Sequence, residues 1–60
     1  MEFAIYKVGM TENTVVWTGT PEDMSAPISF VPDMRSFGPQ MAVGDRLNLN
    51  SWHYALKLRD

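Results

Sequence analysis

The chain has 60 residues, no cysteine, a single histidine and a net charge of −2, with five Lys and Arg against seven Asp and Glu. That length allows one domain with a thin core. Without cysteine it excludes disulfides and thiolate zinc sites, and one histidine excludes a His-rich centre, so no metal and no cofactor are expected.

Phe3 to Val8 opens the chain as a strand rich in aromatic and β-branched residues. Both of its faces are largely apolar, which predicts a central or doubly covered strand. Gly9 to Asn13 reads as a hairpin loop, and Thr14 to Thr18 as a second strand ended by Gly19. Thr20-Pro21-Glu22-Asp23 has the composition of a helix start, a capping residue followed by proline and acids, but Pro27 allows one turn at most. Ile28 to Val31, bracketed by Pro27 and Pro32, reads as a short edge strand, because proline cannot donate to a ladder. Asp33 to Gln40 reads as a loop, and Met41 to Val43 as a stretch that can resume pairing. Arg46 to Asn50 is the fourth strand, with Leu47 and Leu49 on one face. Trp52 to Arg59 is the last and most regular: Trp52, Tyr54, Leu56 and Leu58 alternate with His53, Ala55, Lys57 and Arg59. The first set is expected to face the core.

Five short strands joined by turns about every ten residues predict an all-β domain: a small five-stranded antiparallel SH3-like barrel with at most one short helical turn. Val43-Gly44-Asp45-Arg46-Leu47 has the form of the turn-then-strand found in many small barrels.

The sequence carries little chemistry. Ser51 and His53 are the only local nucleophile and base, and two positions along a strand lie about 6.6 Å apart, beyond direct hydrogen-bond reach. Glu22 and Asp23 are accounted for by the positive end of a helix. The four glycines stand singly at 9, 19, 38 and 44, so no loop cradles a phosphate. An enzyme is not expected.

Binding is better supported. Five Met, two Trp, two Tyr and three Phe exceed what so thin a core requires. Phe30, Met34 and Phe37 lie in a region stiffened by Pro27, Pro32 and Pro39, and form the candidate site for another protein or a second copy of the chain. The predicted function is a non-catalytic protein-interaction module, such as a regulatory or assembly subunit. The alternative is a small barrel that binds single-stranded nucleic acid through a basic sheet face of Lys7, His53, Lys57 and Arg59. The pI near 5.1 speaks against a duplex binder. No apolar run approaches the ~20 residues of a membrane span, and from Met1-Glu2-Phe3, with no basic segment and no long apolar stretch, no signal peptide is expected. With cysteine absent, a cytoplasmic protein is expected.

Overall fold

A computed structural model describes residues 1–60. Strand β1 spans Glu2–Lys7 and β2 spans Thr14–Gly19. A segment of turns leads to helix α1, Val31–Phe37, which runs on into a 3-10 turn, Gly38–Gln40. Strands β3, Arg46–Asn48, and β4, His53–Arg59, complete one antiparallel sheet of order β2-β1-β4-β3. The chain is therefore mostly β, and β1 is central, as its two apolar faces predict.

One face of the sheet is covered by α1. Phe3, opposite Lys57, and Ile5, opposite Ala55 and Trp17, point to that side. Phe3, Ile5 and Ala55 meet Met34 from the helix, and these four fully buried residues are the core. Met1, Trp17, Phe30, Val31, Met41, Leu47 and Leu49 close around them. Gly38 has to be glycine for the helix to sit so low, since a Cβ there would lie 2.8 Å from both Met1 Sδ and Phe3 Cζ.

The other face has no helix and is covered by its own side chains. Tyr6 and Tyr54 are directly opposite on β1 and β4, and their rings stack nearly parallel at 5.1 Å. The Arg46 guanidinium lies 4.5 Å from the centre of the Tyr54 ring, a cation–π contact. The Asn13 amide donates to the Tyr54 hydroxyl at 3.1 Å.

Four expectations are corrected. First, Ile28 to Val31 is not a strand, and Asp33 to Gln40 is not a loop. The N–H groups of Phe30 and Val31 bond back to the carbonyls of Pro27 and Ile28, winding the chain into α1. Pro32 falls in the first helical turn, where a missing N–H costs nothing. The helix thus takes the place of the fifth strand, and the sheet stays open with β2 and β3 as edges instead of closing as a barrel. Second, Thr20 to Asp23 starts no helix: Asp23 N–H bonds to Thr20 O and Ala26 N–H to Asp23 O, two successive turns.

Third, the faces of β4 are exchanged. Ala55 and Lys57 lie under the helix, whereas Tyr54 and Leu56 lie on the uncovered side and Trp52 is 64% exposed. The small Ala55 leaves room for Met34, and a shift of one residue exchanges every side chain along a strand. Fourth, Met41 to Val43 forms no strand. The chain there turns at Gly44, whose φ of +94° suits glycine. Gly44 N–H then bonds to Lys57 O and Lys57 N–H to Asp45 O, which aligns β3 on β4.

Candidate functional site

The three residues expected to contact a partner protein are not equivalent. Met34 is wholly buried in the core and reaches no surface. Phe30 is half-buried, packs against the core and tilts onto the His53 ring at 5.5 Å. Phe37, 49% exposed, is the one of the three with a substantial free surface.

The four residues expected to form a basic face are also separated. The Lys57 side chain is 1% exposed, and its ammonium donates to Gly38 O and Met41 O at 2.8 Å and pairs with Asp60 at 2.7 Å. The hydrogen bond and charge of Lys57 hold the Asp60 carboxyl below its ordinary value of 3.8. Arg59 is paired with Glu2 at 2.7 Å. Only Lys7 and His53 remain together, directly opposite on β1 and β4. No three His, Cys, Asp or Glu side chains converge where they could hold a metal, and no helix is long and apolar enough to cross a membrane.

A different surface emerges from the turns between β2 and α1. The Asp23 carboxylate accepts both the N–H and the hydroxyl of Ser25 at 2.9 Å. Those bonds, the backbone N–H foremost, lower the Asp23 carboxyl below its usual range. Ser25 Oγ in turn accepts the Trp17 indole N–H at 3.1 Å, tying the segment to β2. Pro21 and Ala26 are buried beneath it. With the backbone held this way, Met24 is fully exposed and Ile28 is 86% exposed. Together with Val31 and Arg35 of α1 they line a groove of about 400 Å³. Met24 belongs to the loop methionines visible in the sequence. Ile28 was hidden by its assignment to a strand.

No protein-family model, no curated protein and no solved structure matches this chain.

Proposed function

We propose that the chain is a non-catalytic protein-interaction module, a regulatory or assembly subunit that binds a short apolar segment of another protein in the groove between Met24, Ile28 and α1. The observation that carries this is the exposure of two large apolar side chains on a segment whose backbone is stiffened by Pro21, Pro27 and Pro32 and by the Asp23–Ser25–Trp17 bonds. Both side chains stay in water, and covering each one contributes roughly 1.5–3 kcal/mol of burial. The stiff backbone lowers the ordering cost of binding. Methionine adapts its shape to a partner. The Phe37 surface on α1 is a second contact for the same class of partner. A chain without cysteine suits a reducing compartment such as the cytoplasm.

The test is affinity capture from the source cells with the intact chain and with Met24→Ser/Ile28→Ser as baits. Neither side chain belongs to the core, so the double variant keeps its circular dichroism spectrum and melting temperature. A protein retained by the wild type and lost from the variant is the expected result. Equal retention by both baits overturns the assignment. Concentration-dependent sedimentation abolished by the same substitutions identifies a second copy of the chain as the partner.

A further inference from the structure

A second cleft lies where β1 ends and β4 begins, apart from the groove beside α1. It has a volume of about 520 Å³ and is lined by Lys7, Val8, Gly9, Met10, Trp52 and His53. That size falls within the ~300–1,000 Å³ typical of ligand sites. Lys7 and His53 face each other across the ladder, and Val8 N–H donates to Trp52 O at 2.7 Å, extending the pairing by one rung. The cleft is thus framed by hydrogen-bonded backbone along two sides.

The charge of its lining is opposite to that of the whole molecule. The chain carries net −2, yet no acidic residue lines this cleft. The two ion pairs of the protein are Lys57–Asp60 and Arg59–Glu2, so Lys7 has no carboxylate partner. His53 is oriented from two sides. Asn50 Oδ1 accepts the Trp52 backbone N–H at 2.8 Å, which fixes the amide oxygen on that side. The same oxygen lies 3.1 Å from His53 Nδ1, so Nδ1 carries the hydrogen and donates. Phe30 packs against the ring. Nε2 is the nitrogen left for a ligand, and it holds an anion in the protonated ring, where both nitrogens carry a hydrogen and donate. Beside these two polar groups stand an indole 64% exposed and a fully exposed methionine.

We infer that this cleft binds a nucleotide, with the phosphate at Lys7 and His53 and the base stacked on Trp52 and flanked by Met10. A flat apolar ring joined to an anion is the chemistry that both halves of the lining satisfy together. Two basic side chains make a small footprint, so the salt dependence is shallow. For a single strand, two phosphate contacts give a slope of log K on log salt of about −1.4, and one contact gives about −0.7. A tenfold rise in salt then weakens binding roughly 5- to 25-fold. The nucleotide comes either free or within a single strand.

Tryptophan fluorescence of the intact chain, titrated with AMP and with octauridylate at 50 and 500 mM salt, tests this. Trp52 reports on the cleft, while Trp17 is tethered to Ser25 away from it. The expected result is saturable quenching, which for octauridylate weakens roughly 5- to 25-fold at high salt. It is absent in Trp52→Phe and at least about tenfold weaker in Lys7→Glu, as expected when a phosphate contact becomes a repulsion. Circular dichroism shows both variants folded. Quenching by octauridylate alone assigns the site to single strands, and equal quenching by AMP assigns it to free nucleotides. No quenching by either probe at low salt overturns the inference. So does quenching that Lys7→Glu leaves unchanged, or tighter binding of an acidic tryptophan-containing peptide than of octauridylate.

Discussion

An ammonium group removed from water is stable only when each of its three N–H bonds finds an acceptor. Lys57 meets that condition with Gly38 O, Met41 O and the Asp60 carboxylate, so one side chain ties β4 to both ends of the 3-10 turn after α1. Replacing it with methionine keeps the stem but strands two carbonyls. Lys57→Met is therefore expected to cost about 2–4 kcal/mol, read as a fall in melting temperature of roughly 8–30 °C for a domain of this size. Lys57→Glu is expected to leave the chain unfolded, because a carboxylate would face two carbonyl oxygens. A melting temperature unchanged in Lys57→Met contradicts the buried position. This role was not legible in the sequence. Lysines are rarely buried, and two of the three acceptors are backbone carbonyls of residues 38 and 41, which nothing in the sequence connects to Lys57. Lys7 and His53 were legible, because alternation along two strands that pair puts them side by side.

At the scale of elements, local pattern and tertiary packing separate clearly. β1, β2 and β4 were legible to within one residue at each end, since β-branched and aromatic runs between turn residues are a strong strand signal. Residues 46–48 pair as expected, but Leu49 and Asn50 already belong to the turn, both donating to His53 O. Helix α1 was not legible. Seven residues are too few to display helical periodicity, and the prolines at 27 and 32 read equally well as strand brackets and as a helix entry. The inward face of β4 was also misassigned, because Tyr54, Leu56 and Leu58 are its larger apolar residues. They cover the side without a helix, and the small Ala55 makes space for Met34. Two substitutions separate the faces. Met34→Ala removes a wholly buried side chain and is expected to cost about 2–5 kcal/mol. Leu56→Asp, at a half-buried site opposite Arg46, is expected to cost about 1 kcal/mol. Urea denaturation checks both, and a larger loss for Leu56→Asp than for Met34→Ala would reverse the assignment of faces.

The molecule as a whole presents few ways to associate through its backbone. β3 is three residues long and begins with the cation Arg46, and β2 carries a bulge where its pairing with β1 passes from Trp17 to Val15. Short, charged and bulged edges resist pairing with further strands. The uncovered sheet face is closed by the Tyr6–Tyr54–Arg46 stack. Association therefore falls to side-chain surfaces, among them the groove at Met24 and Ile28, whose backbone is held by prolines and by the Asp23–Ser25–Trp17 bonds. The most direct test is a photo-crosslinking amino acid placed at Ile28, and separately at Asn48 on the exposed β3 edge, in the source cells. A discrete heavier product from position 28 and none from position 48 is the predicted result. No product from position 28, or the same product from both positions, contradicts a partner seated in that groove.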